Sequence, residues 1–282
     1  MNRKTKQSLY FVLFRACGAA VVLALLVLIG YLLYFGIGTI SWNFLTEAPR
    51  GGMTRGGIMP QLLGTIYLML LVLIISVPIG ILSAVYLVEY QRSRFMKGVW
   101  RVVVHNLAGV PSVVYGLLGL GLFVILLDLG ASLIAAGLTL SILVLPIIIA
   151  ATREALMAIP PSLREASIAL GATKWQTTRH HVIPYAMPGI LTGVILSLSR
   201  AAGETAPIIL VGAAYYEPEL PSSLLSAFQA LPYHIYALAT QTRTSLTGPN
   251  LYGAALVLLA LVIGMNLVAI VLRNKYRKKY RW

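Results

Sequence analysis

Acidic residues are scarce in this 282-residue chain: eight Asp and Glu stand against 22 Lys and Arg, a formal net charge of +14. Charge of either sign is rare, at 11% of residues against about 25% in soluble domains, while 59% are hydrophobic. This excludes an ordinary water-soluble domain. The positive balance does not point to nucleic acid, because the basic residues form short clusters between long uncharged runs rather than one stripe. Cysteine is nearly absent. Cys17, being single, rules out an intrachain disulfide and a metal site built on several thiolates. There is no P-loop, catalytic-triad spacing or nucleotide fingerprint, so no cofactor is expected on this chain. No internal repeat of about 20 to 50 residues, low-complexity tract or second soluble domain is visible.

What is present is apolar length. A spanning helix needs about 20 predominantly apolar residues. Six runs meet or approach that: Ala16–Ile40, Gly64–Val88, Val104–Leu127, Ala131–Ala150, Tyr185–Val211 and Tyr252–Leu272. The first follows a basic start, MNRKTKQ, and carries no charge from Ala16 to Thr46, which favours a retained anchor helix over a cleaved signal. The expected fold is all-α and integral to the membrane, with six transmembrane helices. One transmembrane domain is expected: 1–60 as anchor helix and first outer loop, 61–272 as core, and 273–282 as a basic tail. A cytoplasmic loop, 151–184, lies inside the core.

Orientation follows from the distribution of lysine and arginine. With both termini in the cytoplasm, 18 of the 22 basic residues fall on the inner side, whereas the outer loops hold Arg50, Arg55 and Arg243 against Glu47, Asp128, Glu217 and Glu219. Pro78, Pro111, Pro146, Pro188 and Pro207 lie within the spans, where neighbouring helices can satisfy the freed backbone. In the fifth run Gly189, Gly193, Ser197 and Ala201 recur every fourth residue, a ridge for close helix packing.

The longest inner loop, PPSLREASIALGATKWQTTRHHVIP from Pro160 to Pro184, contains two capping-box patterns, Ser162 with Glu165 and Thr173 with Gln176. Gly171 between them suits a left-handed helix end. Two short helices joined at a glycine elbow and closed by Pro184 are expected, forming a knob. EASIALG, followed nine residues later by an apolar-x-apolar-Pro position ending in Ile183 and Pro184, resembles the EAA motif of ABC importer permeases. Departures are Ser167, His181 and Ile183. The resemblance implies a type I ABC importer permease fold in which the knob, with Arg164, Glu165, Ala166 and Gly171, docks into a groove on an ATPase subunit.

LAGVPSVVYGLLGL at Leu107–Leu120, LPIIIAATREALMAIPPSLREA at Leu145–Ala166 and SRAAGETAPIIL at Ser199–Leu210 look like stretches of the paired phosphate permeases PstA and PstC, with GETAP and ALPYHIYALA closer to PstA. The resemblance implies a phosphate importer in a bacterial inner membrane. Its partners would be a PstC-like permease, two PstB-like ATPase subunits and a PstS-like extracytoplasmic binding protein, which the loop Ala213 to Asn250 is long enough to meet. Importers of sulfate, molybdate or phosphonate are the near alternatives; an ion-gradient-driven transporter or a membrane scaffold are the distant ones. Within SRAAGETAPIIL, Arg200 and Glu204 share a face if helical. They form either a self-satisfied structural pair or the lining of an anion path, with Thr205 a further candidate ligand. His105 and Asn106 are expected at a wetted interface, His180 and His181 point about 100° apart and make poor joint ligands, and Tyr215, Tyr216 and Tyr252 fit an interfacial aromatic belt.

Overall fold

The computed structural model describes residues 3–53, 55–217, 219–240 and 244–279. Arg243 and Arg281, both used in the charge distribution above, lie outside them. The elements are α1 (Arg3–Gly36), α2 (Trp42–Thr46), a two-residue hairpin of β1 (Pro49–Arg50) and β2 (Arg55–Gly56), α3 (Met59–Val85), α4 (Arg94–Ala108), α5 (Ser112–Gly119), α6 (Leu133–Met157), α7 (Pro161–Ala169), α8 (Lys174–Thr177), α9 (Ile183–Gly203), α10 (Ala206–Val211), α11 (Leu231–Thr240) and α12 (Thr244–Lys279). Turns with i→i+5 geometry extend three of them: Tyr86–Tyr90 after α3, Leu120–Leu126 after α5 and Thr178–Val182 between α8 and α9.

Among the described residues, five helices are long and apolar enough to cross a membrane: Tyr10–Thr39, Met59–Tyr90, Leu133–Met157, Lys174–Gly203 and Gly248–Lys279. A sixth crossing exists only as a bent pair, Arg94–Ala108 with Ser112–Leu126, meeting at 99°. The expected third span, Val104–Leu127, is therefore not a straight rod. Pro111 has no N–H for the Leu107 carbonyl four residues earlier, which is taken instead by the Val110 N–H at 3.2 Å and by the Tyr115 hydroxyl at 2.7 Å. Asn106, just before the bend, is exposed.

The core is built from α3, α6 and α9, whose facing residues include Val72, Leu140, Ile148 and Ile190, all fully buried. Small residues set the distances. A Cβ on Gly193 would meet the Ala151 Cβ at 2.3 Å and one on Gly189 the Ala155 Cβ at 2.6 Å, so the predicted ridge of α9 packs against alanines of α6. Ser132 caps α6 by accepting from the Ala135 N–H, and its own N–H donates to Val211, tying the start of α6 to the end of α10.

Candidate translocation and coupling sites

The knob begins where α6 ends. Pro161 occupies the first turn of α7 and Pro160 takes the N-cap position without a side-chain bond. Ser162 is thus the second residue of the helix, two positions past the N-cap, and the expected Ser162–Glu165 capping box does not form. The second box does: Thr173 accepts from the Gln176 N–H at 3.2 Å, and the Gln176 side chain accepts from the Thr173 N–H at 2.8 Å. Gly171 is at φ +87°, the left-handed elbow expected between them. Pro184 does not close the knob; it lies in the first turn of α9, and α8 runs through the π turn into that helix. The knob is the tip of the fifth spanning element.

The departures from the motif are explained locally. Ser167 is buried and its hydroxyl pairs with that of Thr177 at 3.0 Å, joining α7 to α8, while His181 is exposed and buries no polar group. Glu165 and Ala166 face outward, beside Ile168, Trp175 and Leu170, the last 90% exposed. Sequence reasoning missed these three apolar side chains, although their i, i+2 and i+7 spacing around the elbow puts large hydrophobes on a loop, which is itself a signal.

Arg164 turns the other way. Its Nε and Nη2 donate to Glu89 Oε1 at 3.1 and 2.9 Å, Nη1 donates to the Ile159 carbonyl at 2.7 Å, and Nη2 also donates to the Leu156 carbonyl at 2.8 Å. Arg164, which the motif groups with Glu165, Ala166 and Gly171 in the coupling knob, is a clamp on the carbonyls at and just past the end of α6 and on the π turn after α3. Sequence reasoning missed Glu89, although it is the one acid in a segment otherwise rich in arginine and lysine, a visible oddity.

At the other end of α9, Gly203 closes the helix and Pro207 withholds the N–H that would have reached the Gly203 carbonyl, so the chain is broken over Glu204 and Thr205 before α10 starts. Arg200 Nε meets Glu204 Oε1 at 3.1 Å. The expected pair forms, but not as two positions of one helix: Glu204 is already extended, at φ −73° and ψ 119°. The Arg200 side chain is 42% exposed and that of Glu204 16%. Both Nη groups of Arg200 are without a hydrogen-bond partner among the described residues. Thr205 Oγ1 reaches back to the Gly203 carbonyl at 3.5 Å, a weak local contact. One residue before Arg200, Ser199 donates to Asn266 Oδ1 at 2.8 Å and fastens α9 to α12.

Two motifs distant in sequence meet here. A Cβ on Gly116 of α5 would lie 2.9 Å from Pro207 Cα, and one on Gly119 would lie 2.9 Å from Val211 Cγ1, so the GVPSVVYG segment packs directly on the helix that follows GET. Tyr115, which satisfies the bend, is close enough to Arg200 to interact electrostatically.

A third polar group lies at the start of α3. Gln61 donates to the Gln229 side chain and contacts His234 Nδ1 at 3.4 Å, and Thr65 accepts from the Leu231 N–H at 2.8 Å, anchoring the segment before α11 and α11 itself to α3. Burial lowers the His234 pKa to about 4, so the ring is neutral there. His180 and His181 sit in the π turn, both exposed, and no group of three metal-ligating side chains exists among the described residues.

The fold resembles that of the inward-facing MetNI methionine ABC transporter, with a TM-score of 0.56 and 19% identity, covering 78% of this chain and 94% of that one. Over 251 residues the chain is 38% identical to the phosphate transport system permease protein PstA 1 of Mycobacterium tuberculosis, covering 85% of this chain and 77% of the relative. It is 30% identical over 280 residues to the probable ABC transporter permease protein YqgI of Bacillus subtilis, covering 95% of each. The family model for the binding-protein-dependent transport system inner membrane component matches residues 76–282. The chain, with its apolar crossing helices, its two-helix knob and the break after α9, belongs to that family of ABC transporter permeases of the inner membrane.

Proposed function

We propose that this chain is the permease subunit of an ATP-driven importer of inorganic phosphate. The observation that carries the reading is Arg200: a guanidinium at a helix break, held through one nitrogen by Glu204, with two Nη groups left for an oxyanion. A planar donor fork suits phosphate oxygens, and Glu204 weakens the grip enough to let the ion leave. Glu204 also accepts a hydrogen bond from a protonated phosphate oxygen, which sulfate lacks at neutral pH. The likeness to PstA proteins supports phosphate over the other oxyanions.

The chain does not hydrolyse ATP itself. Its knob lies on the cytoplasmic side with both termini, and Ile168, Leu170 and Trp175 beside Glu165 and Ala166 enter a groove of a PstB-like ATPase, two copies of which drive the complex. A PstC-like permease completes the path, and a PstS-like protein delivers phosphate at the opposite face. Copurification in detergent followed by reconstituted uptake tests this. Uptake is expected to require ATP and to be competed by phosphate rather than sulfate, and Arg200→Gln is expected to abolish it with subunit assembly intact. Uptake driven by a proton or sodium gradient without ATP would overturn the proposal.

A further inference from the structure

The geometry points to a second mechanical route from the knob into the membrane bundle: Glu89 and Arg164 form a strut that makes α3, as well as α9, move with the knob. The inference rests on the importer reading above, and it concerns how nucleotide-driven motion reaches the core.

A loop held only by its covalent ends would act on α6 and α9 alone. Here one guanidinium crosses 75 residues of sequence to Glu89 while holding the carbonyls of Leu156 and Ile159, so the end of α6, the knob and the end of α3 share one node. The node is sheltered, with the Glu89 side chain 8% exposed and that of Arg164 20%. Separating such a pair leaves an uncompensated charge in poor solvent, so the tie resists the pull that a knob in motion exerts. A second contact reinforces it: Lys174 Nζ of α8 lies 5.1 Å from the centre of the Tyr90 ring. Both Glu89 and Tyr90 belong to the same π turn, closed by the Gln91 N–H to the Tyr86 carbonyl at 2.9 Å. Such a turn carries one residue more than an α turn and rotates the following side chains by about 100°. The Ser167–Thr177 bond makes α7 and α8 one body. Farther along α3, Gly80 sits against Ile148 and Leu71 against Gly137, so displacement of α3 is handed to α6 along its length.

The test measures ATP hydrolysis and phosphate uptake together in liposomes containing the assembled complex. In Glu89→Gln, phosphate moved per ATP is expected to fall by about tenfold, and Glu89→Gln with Arg164→Gln is expected to be no worse than the poorer single variant. Should Glu89→Gln not assemble, Glu89→Asp, which keeps the charge and shortens the reach, gives the same readout. Wild-type uptake that ignores ATP overturns the importer reading and the strut with it. ATP-dependent wild-type uptake with an unchanged ratio in the variant overturns the strut alone, as does a proportional fall in hydrolysis and uptake, the mark of a merely structural role. Bridging Glu89→Cys and Arg164→Cys with a short bifunctional thiol reagent in a Cys17→Ser background is expected to raise the ratio; a fall on bridging counts against the strut.

Discussion

Two arginine–glutamate pairs bracket α9, and they differ in almost every physical respect. Arg200 and Glu204 are four residues apart, joined by one bond of 3.1 Å, with the arginine 42% exposed. Arg164 and Glu89 are 75 residues apart, joined by two bonds within a node of four, and both are largely buried. A lone, half-exposed pair stabilises little and leaves donors free, which suits a site that must release its ion. A buried guanidinium with four of its five N–H donors engaged is costly to disturb and has little left to bind, which suits a mechanical joint. Chemically alike pairs are thereby given opposite tasks by burial and by the count of occupied donors.

Four measurements test how far the two pairs differ. Arg164→Ala leaves Glu89 buried without a counter-charge, and a loss of about 3 to 5 kcal/mol is expected in unfolding of the detergent-purified protein; a loss near that of an exposed pair would erase the distinction. His234 asks whether burial alone can set so large a term. Its folded pKa near 4 lies below its ordinary value of 6.5, so the unfolded chain binds the extra proton between them. Stability is fully present above about pH 6.5 and drops by roughly 3 kcal/mol as pH falls to 4. His234→Gln should flatten that part of the melting-temperature profile. Gly171→Ala places a Cβ at φ +87° with open space around it, so only backbone strain of about 1 to 2 kcal/mol is expected, read as a lowered melting temperature. Smallest is Arg200→Gln, with at most about 0.5 kcal/mol in the same assay despite its abolished uptake; a large destabilisation would make this pair structural after all.

Much of the fold is legible in the residues because the signals are local. Gly171, Thr173 and Gln176 are read within one turn and form as read, and the ridge of Gly189 and Gly193 needs only helical period. Ser162 misleads by two positions, since the helix starts at Pro161 with Pro160 as its N-cap, earlier than the box pattern requires. The third run misleads for a different reason. Hydropathy sums over a window and cannot register that Pro111 deprives Leu107 of a donor, which turns one apolar stretch into two helices at 99°. Glu204 lies between these cases: the pair with Arg200 is visible from spacing, but its extended backbone depends on Gly203 and Pro207 acting together.

The composition, the apolar runs and the short motifs by themselves determined a membrane-embedded helical chain, a two-helix knob with a glycine elbow and a local ion pair, since each depends on solvent transfer or on neighbours within a turn. The tertiary structure alone decided that Arg164 faces Glu89 instead of a partner, that Gly116 abuts Pro207, and that Gln61 reaches Gln229 and His234. Burial obliges a polar group to find a partner, but the identity of that partner is set by how helices pack, which spacing along the chain does not encode.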